Sequence, residues 1–393
     1  MSTIKLYDAN AYTEEFESTV ISCVTQDDGR IAVVLDATAF FPEAGGQSCD
    51  TGTIASIPVC DVQIDDNDII THYLRLDNSS PGIPFSTGEK IRGKIDWIRR
   101  HTLMQHHSGE HLFSGLVFRD FGFSNVGFHL SDHICTMDYN GVLSDDDITR
   151  IEAECNEWIY RNTPISCNYP DEQTLDQLTY RCKGELRGPI RIVTIEGADV
   201  CACCAPHVHS TGEIGALKVL DAKSYKGGVR LEIICGRKAF ADYRRRFELL
   251  KASSRQLSSK EDDLPRHIQL LCDEKYSLNG KILSLQEQLL SDKIEHMSTE
   301  NGGVLLFTDN AEVKSIRNVI NNWMSTHTQT CGIFCGDDNE GYQFIMGSSS
   351  CDMKDMAELL RSKAGAKCGG NSRMIQGSIQ ADHALIADII YTR

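Results

Sequence analysis

The chain has 393 residues, of which 41% are hydrophobic and 24% are charged. This length is more than one hydrophobic core usually accommodates and predicts two to four globular domains, while the composition excludes a disordered chain. No apolar run of about 18 residues is present, and acidic residues stand where an export signal would be apolar. We therefore expect a cytoplasmic protein without a membrane span, whose 16 cysteines are mostly reduced thiols.

Residues 1–95 contain short runs rich in β-branched residues, separated by Asp, Gly, Asn and Pro. Such runs predict strands joined by turns, and a small β-barrel fits their number and length. Residues 96–235 mix helical and strand patterns. A buried or half-buried helix is predicted over residues 97–119. A second helix is expected to begin after Ser144, a candidate N-cap that is followed by three aspartates.

Residues 236–298 are predicted to be mostly helical, and the polar break SSKEDDLP divides them into two helices that suggest an antiparallel hairpin. In the second helix, apolar residues recur at spacings of four, three and four positions, which is typical of a coiled-coil seam. The seam residues are Leu278, Ile282, Leu285 and Leu289. Such a seam predicts a structural spacer or a dimer contact.

Residues 299–393 alternate strand and helix patterns and predict a compact α/β domain. The expected fold class is therefore α+β with four domains. They are a barrel over residues 1–95, an α+β domain over 96–235, a helical hairpin over 236–298 and a C-terminal α/β domain over 299–393.

The formal net charge of −17 disfavours a nucleic-acid partner. The acidic excess is uneven, because residues 1–100 hold 8 basic and 16 acidic side chains whereas residues 236–300 hold 12 and 11. If RNA binds, local basic clusters must contact it, although a solvated helix face explains any single cluster more simply. The candidate contacts are Arg99, Arg100, Arg237, Lys238, Arg244, Arg245 and Arg246.

Two histidines, His107 and His111, lie four positions apart in the segment HHSGEH. On a helix this spacing places both imidazoles on one face, with about 5–6 Å between their Cβ atoms, which is close enough to share one metal ion. The same spacing also arises by chance on a helix face, or from hydrogen-bonded core histidines. The pair alone is therefore weak evidence for a metal site.

A second pair, Cys203 and His207, lies in the segment CACCAPHVHSTGEIG. Pro206 disfavours a regular helix here, so the pair is expected on a turn that follows a strand. A thiolate and an imidazole are strong zinc ligands, and the two pairs together could complete a tetrahedral set. A purely structural zinc site, or no metal at all, is the alternative. The competing ligand candidates are Cys201, Cys204 and His209.

A third segment, FFPEAGGQSCDTG at residues 40–52, contains the adjacent glycines Gly45 and Gly46. Paired glycines allow close approach of the backbone to a ligand. Taken alone, the segment predicts only a turn between strands.

Four segments together resemble the editing domain of alanyl-tRNA synthetase and its free-standing AlaX-type relatives. They are the glycine-rich segment, IDWIRRHTLMQHHSGEHL at 95–112, VGFHLSDHICTMDYNG at 126–141 and CCAPHVHSTGEIG at 203–215. The segment GAKCGGNSRMIQGS at 365–378 is similar, more loosely, to the glycine-rich part of the DHH-associated domain that ends alanyl-tRNA synthetase and the long AlaX-type proteins. No ATP-binding or amino-acid-activating portion is recognised ahead of the editing region, so a free-standing editor of the long form is expected.

The resemblance implies a zinc-dependent aminoacyl-tRNA deacylase. It implies that misacylated tRNA(Ala) is the substrate and that serine, and secondly glycine, are the amino acids removed. Independently of the resemblance, the seam over residues 278–289 and the C-terminal domain make a homodimer an expectation. The site residues implied are the zinc ligands His107, His111, Cys203 and His207, the substrate loop Pro42, Glu43, Gly45, Gly46 and Gln47, and the C-terminal glycines Gly369 and Gly370. Many relatives carry glycine where Ala44, Cys204 and Ala205 stand, which bears on the shape of the pocket.

Two other functions fit parts of the sequence. The letters HSGEH match the inverted zinc-peptidase motif H-x-x-E-H, with Glu110 as the base, but this reading needs a further acidic ligand and leaves Cys203 and His207 unexplained. On a helix, Glu110 turns away from the face that the two histidines share, so a surface glutamate is expected instead. A non-catalytic module that binds zinc and tRNA is the other alternative.

Overall fold

The computed structural model of the chain describes residues 2–75, 84–182, 188–299 and 302–392. The chain divides into two compact units, Met1–Leu250 and Lys251–Arg393. Helices and strands occur in both, which confirms the predicted α+β class. In the described part of the chain, no helix combines the length and the apolar character needed to cross a membrane.

The first unit begins with a small closed barrel. Its elements and their neighbours are β1 (Ile4–Lys5), α1 (Leu6–Ala9), β2 (Glu15–Thr25), β3 (Ile31–Leu35), β4 (Ala37–Thr38), β5 (Gly52–Ile54), β6 (Ile57–Ile64), β7 (Ile70–Leu74) and β8 (Lys90–Ile95). Six of these strands close in the order β2-β3-β7-β6-β5-β8. Alternate side chains point inward, as Ile31, Val33 and Leu35 of β3 do, because successive residues of a strand face opposite sides. The predicted N-terminal barrel is confirmed.

The rest of the first unit surrounds one long helix. Its elements are α2 (Trp97–Phe121), β9 (Asn125–Leu130), β10 (Cys135–Tyr139), α3 (Asp145–Arg161), β11 (Ile165–Asn168), α4 (Glu172–Gln177), β12 (Ile192–Ile195), β13 (Asp199–Ala202), β14 (Leu217–Tyr225), β15 (Gly228–Cys235) and α5 (Gly236–Gln256), which continues past residue 250. The strands form a four-stranded sheet in the order β14-β15-β10-β9 and a three-stranded sheet in the order β11-β12-β13.

Helix α2 is buried without interruption from Thr102 to Val117. The side chain of Asp96 accepts a hydrogen bond from the backbone of Arg99 and caps the start of the helix, while Gly122, with φ of 69°, ends it in the left-handed conformation. A helix on the surface usually buries one stripe only. Helix α2 therefore keeps even its polar side chains away from solvent. Its histidines His107 and His111 lie in the interior of the first unit for this reason.

Helix α3 begins as the sequence predicts. The side chain of Ser144 accepts a hydrogen bond from the backbone N–H of Asp147, and the Asp147 carboxylate accepts from the backbone of Ser144. This reciprocal pair is a capping box, which satisfies two amide groups that a helix start leaves unbonded.

The second unit contains a mixed sheet with helices against both faces. Its elements are α6 (Leu264–Glu295), β16 (Gly303–Thr308), α7 (Val313–Thr326), β17 (Thr330–Asp337), β18 (Gly341–Gly347), α8 (Met353–Ala364), β19 (Lys367–Gly370), β20 (Met374–Ile379) and α9 (His383–Tyr391). The strand order is β16-β17-β18-β20-β19, and only the β16–β17 pair is parallel. Helix α7 contributes to one apolar cluster, and α8 and α9 to the other.

The C-terminal segment and the predicted glycines have these positions. Residues 383–391 are helical. Gly369 and Gly370 end β19 and pair with Gln376 and Ile375 of β20, and both are exposed.

The seam of helix α6 is exposed to solvent. Relative exposures are 48% for Leu278, 49% for Ile282, 64% for Leu285 and 56% for Leu289. The two helices predicted on either side of the polar break are present as α5 and α6. The unit that carries the seam does not cover it. A hairpin, and the four-domain division as a whole, stay predictions.

Candidate metal centre

Helix α2 places His107 and His111 one turn apart on the same face. Their ring centroids lie 5.3 Å apart, and both residues are buried. The helical spacing alone sets this separation, as the sequence predicts.

The segment after strand β13 brings Cys203 and His207 to the same place. The Sγ atom of Cys203 lies 3.5 Å from Nε2 of His107 and 3.4 Å from Nε2 of His207. The His207 ring lies 4.9 Å from that of His107 and 4.6 Å from that of His111. One ligand atom from each of the four side chains lies within 4.8 Å of the others. The structure therefore unites the two pairs that the sequence presents 92 positions apart.

Each of the three histidines forms a hydrogen bond through its Nδ1 atom. His107 Nδ1 lies 2.7 Å from Oε1 of Gln47, His111 Nδ1 lies 3.0 Å from Oδ2 of Asp199, and His207 Nδ1 lies 3.0 Å from Oγ of Ser108. Since Gln47 Oε1 and an ionised carboxylate only accept, the Nδ1 atoms of His107 and His111 donate, and the lone pair of each ring is carried by Nε2.

The donor set fits a zinc-type ion. Three imidazole nitrogens and one sulfur in a buried, compact cluster are the ligands that such an ion takes in tetrahedral sites, and hydrogen bonds that orient the ligands accompany metal-binding histidines. The cluster as it stands could therefore hold one metal ion.

Asp199 is itself held by a buried arginine. Arg181 donates to Asp199 through Nε at 2.7 Å and Nη2 at 2.9 Å. Burial alone would raise the pKa of Asp199, but the hydrogen bond with His111 and the charge of Arg181 lower it below the usual range. The carboxylate is therefore ionised beside His111. Sequence reasoning missed both residues, because no local motif contains them.

The glycine-rich segment lies against strand β9 beside the cluster. Gly45 and Gly46 have φ values of 59° and 81°. The backbone of Leu130 donates to the Gly46 carbonyl at 2.7 Å, and the backbone of Ser48 donates to the Leu130 carbonyl at 2.9 Å. These bonds fix the loop so that Gln47 reaches His107.

Gly46 is required for this approach. A Cβ atom at Gly46 would lie less than 3.0 Å from the carbonyl oxygen of Phe128, in a backbone conformation that other residues rarely adopt. We expect Gly46→Val to displace the loop, to break the Gln47–His107 hydrogen bond and to reduce the proposed activity at least tenfold. Gly88→Val is the matched control, because Gly88 also has positive φ but a Cβ there meets no atom within 4 Å. Steady-state kinetics of both variants test this; equal loss in both would show that backbone strain, not the contact with Phe128, limits activity.

The cluster opens into a cavity of about 1230 Å³ within the first unit. Pro42, Gly45 and Gly46 line it on the loop side, together with His107, His111 and Cys203. Asp8, Tyr169 and Arg191 also line it, and the Tyr169 hydroxyl donates to Asp8 Oδ2 at 2.9 Å. A ligand in this cavity can therefore contact the cluster and the loop at the same time.

The other candidate ligands lie outside the four-residue cluster. Cys204 also lines the cavity. His209 is exposed and stacks on Tyr12 with 4.0 Å between the ring centroids. Cys201 is buried and belongs to a neighbouring group with His111 and Asp199. Glu43 of the predicted loop is not among the residues that line the cavity; it is exposed and accepts a hydrogen bond from Gln63.

Glu110 is not the surface residue that the sequence predicts. It is fully buried, and its Oε1 atom accepts hydrogen bonds from Ser114 at 2.6 Å and Asn125 at 2.7 Å. The prediction was wrong because helix α2 is buried on all sides, so turning away from the histidine face does not bring a side chain to solvent.

Arg100 is not available as an RNA contact, which corrects a second prediction. It is 0% exposed, forms a buried ion pair with Asp50, and donates to the carbonyls of Ala11 and Ala39. Its neighbour Arg99 is 14% exposed in its side chain and pairs with Asp132.

The basic residues of helix α5 differ in their surroundings. Arg237, Arg244, Arg245 and Arg246 are all exposed, and the last two share an ion pair with Asp242. Lys238 is half-buried and donates to the backbone carbonyl of Asp132. Only some of the predicted RNA contacts are therefore free to meet a phosphate.

Comparison with known proteins agrees with this geometry. The family described as the threonyl and alanyl tRNA synthetase second additional domain matches residues 190–232, which include Cys203 and His207, and the class II (A) tRNA synthetase family matches residues 6–99. The chain is 27% identical to the alanyl-tRNA editing protein AlaX-L of Pyrococcus horikoshii, over 98% of this chain and 96% of that protein. It is 26% identical to the alanyl-tRNA editing protein Aarsd1 of Rattus norvegicus, over 98% of this chain and 97% of that protein.

The chain matches only part of a longer relative. The chain is 30% identical to the alanine–tRNA ligase of Ignicoccus hospitalis over 76% of its own length, but it spans only 33% of that ligase. The matches to the two editing proteins extend over nearly the full length on both sides. The chain is therefore similar over nearly its full length to the alanyl-tRNA editing proteins AlaX-L and Aarsd1, and over part of its length to alanine–tRNA ligase.

Proposed function

We propose that the protein hydrolyses, in trans, the ester bond of tRNA(Ala) that carries a wrong amino acid. The observation that carries the proposal is the cluster of three buried imidazoles and one half-buried thiol, which opens into a cavity lined by the glycine-rich loop. The relatives are named as editing proteins, which supports the same reaction.

The residues proposed to hold a zinc ion are His107, His111, Cys203 and His207. Bound there, zinc would supply positive charge that can polarise the ester carbonyl, activate a water or anchor the aminoacyl group. The protein side chains supply rigidity: Gln47, Asp199 and Ser108 fix the three rings, so that the ester meets prearranged groups. An aminoacyl ester is already labile, so positioning contributes much of the rate.

Four protein ligands normally close a zinc site. If zinc is held there, Cys203 would be the ligand best able to give way, because it is half-buried on an irregular segment while two of the histidines lie on a buried helix.

Serine is the amino acid that we propose is removed, with glycine second. A pocket that hydrogen-bonds the serine hydroxyl would leave its polar groups unpaired with alanine, and this penalty spares correctly charged tRNA. The test is a deacylation assay of the purified protein on tRNA(Ala) carrying serine, glycine or alanine. No faster loss of serine than occurs without protein would refute the proposed function.

The tRNA is proposed to contact the exposed arginines of helix α5. Each phosphate contact releases counterions, so binding should weaken as salt rises. We expect Arg237→Ala and Arg244→Ala each to lower the slope of log affinity against log salt by about 1. Arg245→Ala is the comparison on the same helix: Arg245 is also exposed but shares Asp242 with Arg246, so a smaller change in slope is expected. Filter binding of tRNA(Ala) over a range of KCl concentrations measures the slopes, and unchanged slopes in both variants would remove α5 from the interface.

A homodimer is proposed through the exposed α6 seam. Ile282→Glu would place a charge in an apolar contact and is expected to convert a dimer into monomers without unfolding the chain. Ser284→Glu, at an exposed position of the same helix outside the seam, controls for added charge alone. Sedimentation equilibrium gives the oligomeric state, and a monomeric wild-type protein at micromolar concentration would contradict the proposal.

The inverted zinc-peptidase function is less well supported. Glu110 is held by Ser114 and Asn125, and the cavity does not include it among its lining residues. Peptidase activity that is lost in Glu110→Gln would favour it. Zinc and tRNA binding without turnover would instead favour a non-catalytic module. Because the proposed substrate belongs to translation, a cytoplasmic location stays the expectation.

A further inference from the structure

Two groups of metal-binding side chains overlap at His111. The first is the four-residue cluster already described. The second consists of His111, Asp199 and Cys201, all buried, with one ligand atom from each within 4.8 Å of the others. An imidazole has two nitrogens on opposite sides, so a metal ion could in principle bind His111 from either group.

Arg181 occupies the second group with a positive charge. It donates two hydrogen bonds to Asp199, and its side chain is only 7% exposed. Its backbone is fixed beside strand β13, because its N–H donates to the Val200 carbonyl at 2.8 Å and its own carbonyl accepts from Ala202 at 2.9 Å. The guanidinium therefore stays next to the carboxylate, where it repels a cation strongly in a medium of low dielectric constant.

A glycine on helix α2 permits this arrangement. Gly115 lies one turn beyond His111, and a Cβ atom there would come within 3.0 Å of the Ala198 carbonyl oxygen and of the Asp199 Cβ atom. The start of β13 therefore packs directly on the helix, and this contact brings the Asp199 carboxylate to His111 Nδ1.

We propose that Asp199 and Arg181 together assign the metal ion to one of the two overlapping groups. Asp199 accepts the Nδ1–H of His111 and so turns the Nε2 lone pair toward His107, Cys203 and His207. Arg181 neutralises Asp199 and keeps a second cation out of the group formed with Cys201. The inference rests on the metal site of the proposed function, and both residues are positioning residues.

The first test is the metal affinity of Asp199→Asn, measured by competition of the purified protein with a zinc chelator. Zinc affinity is expected to fall about 10–100-fold, the usual effect of removing a carboxylate that orients a metal-bound histidine. Asp199→Glu is expected to restore part of it. Affinity unchanged in Asp199→Asn would overturn the positioning role.

The second test counts metal ions in Arg181→Met, with cobalt(II) as a probe because its thiolate bonds absorb light. We expect one cobalt per wild-type chain and two per Arg181→Met chain. The second ion would be held by Asp199 and Cys201, with the thiol proton released to solvent, and by His111 only if its Nδ1 proton is released as well; the Cys201 thiolate adds absorbance. In the double variant Arg181→Met/Cys201→Ser the added absorbance should disappear. Arg230→Met is the matched control, since Arg230 also pairs with an aspartate, Asp138, on strands β15 and β10. One cobalt in folded Arg181→Met would overturn the exclusion role.

The third test uses Cys201→Ser and probes the position of the ion even if Arg181→Met does not fold. The proposal places the wild-type ion in the four-residue cluster, so Cys201→Ser should keep one zinc with unchanged affinity. Loss of zinc would show that the ion uses the second group. All these readouts are of metal binding, so they stand apart from the deacylation assay, whose failure would refute the proposed function alone.

Discussion

Alanine in place of His107 is expected to abolish hydrolysis of seryl-tRNA(Ala) and to release the metal ion. Removing one of four ligands leaves an incomplete shell and also breaks the hydrogen bond with Gln47. The loss in kcat/KM should be at least about a hundredfold, because changing a residue that merely orients a ligand already costs 10–100-fold. Cys203→Ala is expected to behave in the same way. Single-turnover deacylation and zinc content, measured on one preparation, give both quantities.

The matched control is His209→Ala. This histidine follows His207 by two positions, but it is exposed, stacks on Tyr12 and lies outside the cluster. It should retain zinc and activity. Wild-type activity in a His107→Ala protein that has lost its zinc would refute the metal's role, and activity lost while zinc remains would point to substrate contacts of His107.

Arg100→Leu is expected to lower the free energy of unfolding of the first unit by about 3–5 kcal/mol, the typical cost of breaking a buried ion pair. The Asp50 carboxylate is 1% exposed and would lose its partner, and the carbonyls of Ala11 and Ala39 would lose their donor. Urea unfolding followed by fluorescence measures the change.

The control for this variant is Arg92→Leu. Arg92 pairs with Glu17 on the surface, where the side chains are 79% and 66% exposed, so water and salt screen the pair. Its urea midpoint should stay close to that of the wild type. If Arg100→Leu did the same and instead reduced the salt dependence of tRNA binding, Arg100 would be an RNA contact after all.

Local patterns in the sequence predicted local structure well. The Ser144 cap and the four-residue spacing of His107 and His111 depend on neighbours within one turn, and both appear in the structure as expected. The irregular segment around Pro206 follows for the same reason, since proline cannot continue a helix.

Environments set by distant residues were not predictable from single positions. Glu110 and Arg100 were both placed at the surface, because the sequence of α2 does not reveal that other elements pack on all its sides. Asp199 and Arg181 stand 88 and 70 positions from His111 and carry no motif. The family resemblance supplied Gln47 but not its bond with His107, which depends on the register between the glycine-rich loop and β9.

Two contacts across the first unit limit how the protein can be cut. Gln47 orients His107, and Asp50 neutralises Arg100. Both pairs join the loop between barrel strands to helix α2, which follows the barrel. A shortened chain starting near residue 96 would keep both helical histidines but lose the amide and the carboxylate. Such a fragment should aggregate or bind zinc poorly, so the smallest autonomous editor must retain the N-terminal barrel.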